Sequence, residues 1–120
     1  MILEELTGKI LEACFEVANE LGHGFVESVY VKALIIALRQ KGLSVQSEVA
    51  LQVMFRGQVV GDFYADLMVE QRVLVELKAA KVLLPEHQAQ VINYLKATGI
   101  EVGLLVNFGT PKIEFKRLHK

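Results

Sequence analysis

Cysteine occurs once, at Cys14, so the chain cannot close an intrachain disulfide. Cys14 falls among Leu11, Val17 and Ala18 and reads as a small buried apolar side chain. No Cys/His spacing of a zinc site occurs. The stretch from Met1 to Lys9 lacks a basic segment followed by an apolar run, so no secretory signal is expected. No uninterrupted apolar run approaches membrane-spanning length. These absences point to a reduced, cytoplasmic setting. Internal repeats, low-complexity segments and a second-domain linker are also lacking, and the 120 residues fit one domain, 1–120.

A strong excess of either charge is absent too. The net charge of −1 argues against broad electrostatic attachment to nucleic acid, which relies on many phosphate contacts. The average hides an asymmetry. Residues 1–75 hold six Lys/Arg and ten Asp/Glu, a net of −4, whereas residues 76–120 hold seven and four, a net of +3. A basic face in the second half would follow if those residues cluster. Apolar residues are plentiful, at 52%. That content suits a well-filled core and leads us to expect a homodimer or higher homo-oligomer.

Periodicity divides the chain into helices and strands. Leu3, Leu6, Ile10, Cys14, Val17 and Leu21 recur at helical spacing and predict a helix over about 3–21. Gly22-His23-Gly24 breaks it. A second helix is predicted over about 27–41, with Val29, Leu34, Ile36, Ala37 and Leu38 as its apolar surface. From Ser44 to Phe55 the pattern alternates, with Val45, Val49, Leu51, Val53 and Phe55 on one side, imperfectly around Ser47 and Ala50. Arg56-Gly57 predicts a hairpin turn into a strand over 59–69, and Gln71-Arg72 a short connection into a strand from Val73 to Ala79. Pro85 opens a helix over about 85–98. The apolar run from Glu101 to Phe108 suits a central strand covered on both faces, and Ile113 to Leu118 supplies a last strand. The order implies an α/β fold, a mixed sheet with helices on its faces.

The chemistry concentrates in Val75-Glu76-Leu77-Lys78-Ala79. Glu76 and Lys78 are two apart on a strand and project to one face, while Val75 and Leu77 anchor the other. Asp66 lies on the preceding strand, where a short turn can bring it beside Glu76. Two adjacent carboxylates repel unless their charge is offset, and a hard divalent cation offsets it. Carboxylates, a backbone carbonyl and water suit Mg²⁺, with Mn²⁺ as the other candidate. Such an ion would activate water and stabilise charge on a phosphoryl group, and Lys78 could orient that water. Taken alone, Glu-x-Lys on a strand is more often a solvated face, and Glu70 reads as a turn residue.

Larger stretches carry a resemblance. They are Gly22 to Tyr30, Gly61 to Leu67, Val75 to Ala79, Glu86 to Leu95, and Asn107-Phe108-Gly109. With these the chain resembles the GxxExxR proteins of the PD-(D/E)xK nuclease-like superfamily over about 3–118. Tyr30 stands where that group carries arginine, and Ala65-Asp66 replaces the Pro-Asp pair. The resemblance implies a restriction-endonuclease-like fold with Asp66, Glu76 and the Leu77 carbonyl as metal ligands. It assigns a catalytic role to Lys78 and places Glu27 on the metal directly or through water. Gln90 would orient water or a phosphate, and Tyr94 would line the site.

Structural roles compete at several of these positions. Glu27 equally suits the positive end of a helix, and Tyr94 equally suits packing. Lys81, Lys96, Lys112, Lys116 and Arg117 are candidate phosphate contacts, though each alone reads as a surface residue. His23, His87 and His119 lack ligand spacing. The function expected is metal-dependent hydrolysis of phosphodiester bonds in DNA, with RNA as a second substrate. The alternative is a noncatalytic nucleic-acid-binding or assembly module that keeps the nuclease-like frame.

Overall fold

The computed structural model describes residues 3–120. Helix α1 spans Glu4–Leu21 and α2 spans Glu27–Gln40. Strands β1 (Val45–Phe55), β2 (Gln58–Val69) and β3 (Val73–Lys78) follow, then α3 (Pro85–Thr98), β4 (Val102–Asn107) and β5 (Glu114–His119). These form one five-stranded sheet in the order β1-β2-β3-β4-β5. All neighbours are antiparallel except β3 and β4, which run parallel. α3 supplies the crossover that parallel neighbours require. The mixed sheet with helices on both faces is the expected restriction-endonuclease-like architecture. No helix among the described residues is long and apolar enough to cross a membrane.

Each face of the sheet has its own core. On one, Ile10, Cys14, Leu34 and Leu38 of α1 and α2 pack on Val73, Val75, Leu77, Leu104 and Val106. On the other, Val91, Tyr94 and Leu95 of α3 pack on Leu51, Leu74 and Leu105. β3 and β4 are therefore covered on both sides, which is why β4 reads as a continuous apolar run. Burial pushes the Cys14 thiol up to about 12, as befits core filler. Lys41, just past α2, pairs with Glu12 and Glu16 of α1 at 2.8 and 3.1 Å.

The structure corrects two details of the apolar pattern. Ile36 faces solvent at 59% exposure, because α2 buries the stripe Tyr30, Leu34 and Leu38 instead. The alternation from Val45 to Phe55 also does not line one face. Val45 belongs to the α1/α2 core, whereas Leu51 belongs to the α3 core and Val49 packs against it. The reversal falls at Glu48, whose φ is 51°, between the pairs Ser47–Leu67 and Val49–Ala65. β2 reverses at the facing residue, with Ala65 in the α3 core and Leu67 in the other. That residue is Asp66.

Candidate metal centre

β2 hydrogen-bonds to β3 only where Leu67, Met68 and Val69 face Val75, Leu74 and Val73. Beyond Leu67 the strands part, and two carboxylates fill the opening. Glu76 Oε1 accepts the Asp66 backbone N–H at 2.6 Å. Asp66 Oδ2 accepts the Leu77 backbone N–H at 2.8 Å. Each side chain thus satisfies an amide that the interrupted ladder leaves without a strand partner. The second oxygen of each carboxylate accepts no hydrogen bond within the described residues. No described buried side-chain oxygen lacks a partner, so these two oxygens reach solvent.

Backbone geometry adds a third oxygen. The N–H and C=O of one strand residue point to the same side. The Leu77 N–H points to Asp66, so its carbonyl faces the β2 side as well. The Lys78 carbonyl points the other way and accepts the Phe108 N–H at 2.8 Å. Lys78 Nζ donates to Gln90 Oε1 at 3.3 Å, and Gln90 Nε2 donates to the Tyr94 hydroxyl at 3.2 Å. The structure thus pairs Asp66 with Glu76 and, in a second set of bonds, links Lys78 to Gln90 and Tyr94, the charge of Lys78 acting on both carboxylates.

Electrostatics reflect the crowding. Glu76 is only 5% exposed, and burial together with the Asp66 charge raises its carboxyl to about 7. Burial also raises Asp66, opposed by the Leu77 amide and Lys78. Tyr94 is raised by burial and then by the negative Glu76. Glu27 opens α2 and is exposed as a residue, yet its carboxyl end is desolvated beside the Ala79 amide. Its pKa is raised by that desolvation and by Asp66, against Lys78, Ala79 and His87. Glu27 shares the field of the site without hydrogen-bonding to either carboxylate. Accordingly, no group of three or more His, Cys, Asp or Glu forms a ready metal cluster among the described residues.

The donor set still fits a hard cation. Two carboxylate oxygens, a backbone carbonyl and solvent are oxygen ligands, and the two carboxylates stand side by side across the β2–β3 opening. Lys81 is exposed on the 79–84 loop and stands outside the Lys78–Gln90–Tyr94 chain. His87 lies in the first turn of α3, where Nδ1 accepts the Leu84 N–H at 3.1 Å. Glu70 is a turn residue: its carboxylate accepts the Ser44 N–H at 2.6 Å, and its own N–H returns to the Ser44 carbonyl at 2.8 Å.

Three supporting residues escaped a sequence assignment. Tyr30 is fully buried, stacked on Phe108 at 4.8 Å, and donates its hydroxyl to the Gly22 carbonyl at 2.7 Å. The same hydroxyl accepts the Phe25 N–H at 3.2 Å. Tyr30 thus ties the loop before α2 in place from within the core. Asn107 is buried and clamps the chain just past Lys78. Its Oδ1 accepts from Ala80 and Gly109, and its Nδ2 donates to the Ala80 carbonyl and Glu114. Gly109 lies so close to the Ala79–Ala80 backbone that a Cβ could not fit. A lone amide ending an apolar run, Val102 to Val106, was the available signal for Asn107.

Comparison with known proteins agrees with this fold. The family model of the PD-(D/E)XK nuclease superfamily matches residues 4–118. No curated protein matches the chain. Among solved structures, the crystal structure of SSO0001 is similar, with a TM-score of 0.62 and 21% sequence identity. The likeness is one of fold and covers 78% of this chain and 49% of that one, so the chain spans about half of that protein.

Proposed function

The chain belongs to the PD-(D/E)XK nuclease superfamily, and from that premise we propose that it hydrolyses phosphodiester bonds of nucleic acid with a divalent metal ion. The observation that carries the proposal is the Asp66–Glu76 pair in the opening between β2 and β3, each carboxylate held by a backbone amide. Asp66, Glu76 and the Leu77 carbonyl would hold Mg²⁺, or Mn²⁺, with Glu27 acting through water. When bound, that ion supplies charge neutralisation and Lewis acidity toward a phosphodiester. Lys78 stands beside the pair and would orient the attacking water and stabilise charge on the phosphate. Gln90 holds the Lys78 ammonium end and would position water, while Tyr94 would line the substrate side. DNA is the first substrate proposed and RNA the second, since the reacting group is the same.

Within the superfamily, Gly24 and Glu27 support a place beside the GxxExxR proteins. Tyr30 departs from that pattern as a packing residue. The proposal extends to one nuclease-like domain in a cytoplasmic setting, with Lys81 as a phosphate contact.

A nuclease panel with and without divalent ions tests the reading on single- and double-stranded DNA and RNA. Metal-dependent cleavage is expected in the unaltered protein and should disappear in Glu76→Gln and Asp66→Asn. Cleavage retained in both variants would sink the assigned site. A second reading treats the pair as a structural latch in a noncatalytic binding module. It is favoured by the absence of a third acidic ligand at hand among the described residues. Specific binding without turnover under every metal condition would select it.

A further inference from the structure

A groove of about 840 Å³ runs between the β1–β2 hairpin arm and α3. Val53, Met54, Val60 and Phe63 line its arm side, and Gln90 and Tyr94 its helix side. Gln90 and Tyr94 are also the end of the hydrogen-bond chain from Lys78, and Tyr94 lies within the field of Glu76 and Asp66, so the groove borders the carboxylate pair through these two residues. We propose that this groove receives unpaired nucleobases of a single-stranded nucleic acid, leading its backbone to the site. The inference rests on the nucleic-acid reading above and names the form of the substrate.

The chemistry of the walls selects that occupant. Phosphate backbones are bound by Lys and Arg. Lys96 is the one cation among the described lining residues, and Glu86 offsets it. The walls instead combine apolar and aromatic surface with the amides of Gln52, Gln90 and Asn93. Flat heteroaromatic rings with polar edges match that combination: faces meet apolar side chains and edges meet amides. In a duplex those faces are stacked away, so only an unpaired base can offer them. Phe63 is the platform. Its ring lies over Gly61, where a Cβ would come within 2.8 Å of Phe63 Cε2. The ring approaches Tyr94 at 5.9 Å between centroids and remains 43% exposed. Met54 and Val60 are exposed at 53% and 63%, apolar surface that a bound base would cover.

The sequence contains no tryptophan, so Phe63→Trp introduces a single tryptophan on this platform, excited selectively over the three tyrosines. The experiment uses a Glu76→Gln background, which blocks the proposed hydrolysis while keeping the oxygen that accepts the Asp66 amide. Oligomers of about 12 nucleotides, a length within the footprint of single-strand sites, are titrated as oligo-dT, oligo-rU and a duplex. Saturable quenching is expected with single strands, at concentrations at least about tenfold below those needed for duplex. The dT and rU arms distinguish DNA from RNA. By anisotropy, Phe63→Leu should weaken single-strand binding about tenfold, the scale of one lost base–aromatic stack, while Phe63→Trp restores it. Melting temperatures of the three proteins identify any loss due to unfolding, and a second groove variant, Val60→Glu, should weaken single-strand binding independently.

Equal affinity for duplex and single strand, or full binding by both Phe63→Leu and Val60→Glu, overturns the assignment. So does failure to bind any oligomer, or quenching that follows protein concentration alone because a second copy fills the groove. The two readings fail separately. Site-dependent cleavage without single-strand preference removes the groove assignment and leaves the hydrolase. Single-strand binding that depends on Phe63, without turnover in Mg²⁺, removes the hydrolase and leaves the groove.

Discussion

Glu76 is placed where its ionised form is least welcome: buried, beside Asp66 and within the field of Glu27. Its folded pKa of about 7 stands above the ordinary 4.5, so the metal-free folded chain binds this proton more tightly than the unfolded chain. The stability that the protonated group contributes is full below about 4.5 and is lost as pH rises through about 7. The loss is at most on the order of 3 kcal/mol. Asp66, also raised, adds the same sign. In metal-free buffer, Glu76→Gln should therefore flatten the fall in thermal stability between pH 5 and pH 8 and melt higher than the parent at pH 8. Added Mg²⁺ should raise the parent's melting temperature at pH 8 and have little effect on the variant. Parallel pH–stability curves for parent and variant would contradict this account. The sequence showed which two carboxylates to pair. It could not show that each would hold a backbone amide, because those bonds arise only where β2 leaves β3.

At the scale of elements, helix and strand limits follow from local periodicity and were readable throughout. The exception is the reversal at Glu48 and Asp66. A two-residue alternation assumes an unbroken pleat, and one left-handed residue exchanges the faces of everything beyond it. A second tertiary device sits where β4 ends. A Cβ on Gly109 would run into the Ala80 backbone, which cannot rotate aside. A Cβ on Gly103 would meet the Val91 and Leu95 side chains, the nearest at 2.8 Å, and those ends can move. Gly109→Ala is expected to cost about 1–3 kcal/mol and to exceed the cost of Gly103→Ala. Urea midpoints at equal m-values measure both. The Gly109 variant should also lose hydrolysis, since Ala80 lies two residues past Lys78. A larger loss from Gly103→Ala would assign the tight packing to the helix instead.

The whole molecule measures 46 × 30 × 25 Å, an elongated shape for its size. The distal half of the β1–β2 hairpin is largely exposed. Phe55, Val59 and Tyr64 are exposed at 58%, 46% and 67% and lie outside the groove lining. They leave apolar surface exposed on the arm outside the groove lining, which we expect a second copy to cover in part. Sedimentation equilibrium should therefore give a mass near twice 13.4 kDa at micromolar concentrations. A single 13.4 kDa species over the accessible range would reject self-association through this arm.

The sequence by itself determined the elements and their order, the two-sided burial of β4, and which residues are candidates to hold a hard cation. Each depends on spacing along the chain, and spacing is local. Only the tertiary structure decided that Asp66 and Glu76 meet, that Tyr30 and Asn107 are braces, and that a groove shares Gln90 and Tyr94 with the site. Those depend on where strands part and how closely backbones approach, distances that no periodicity records.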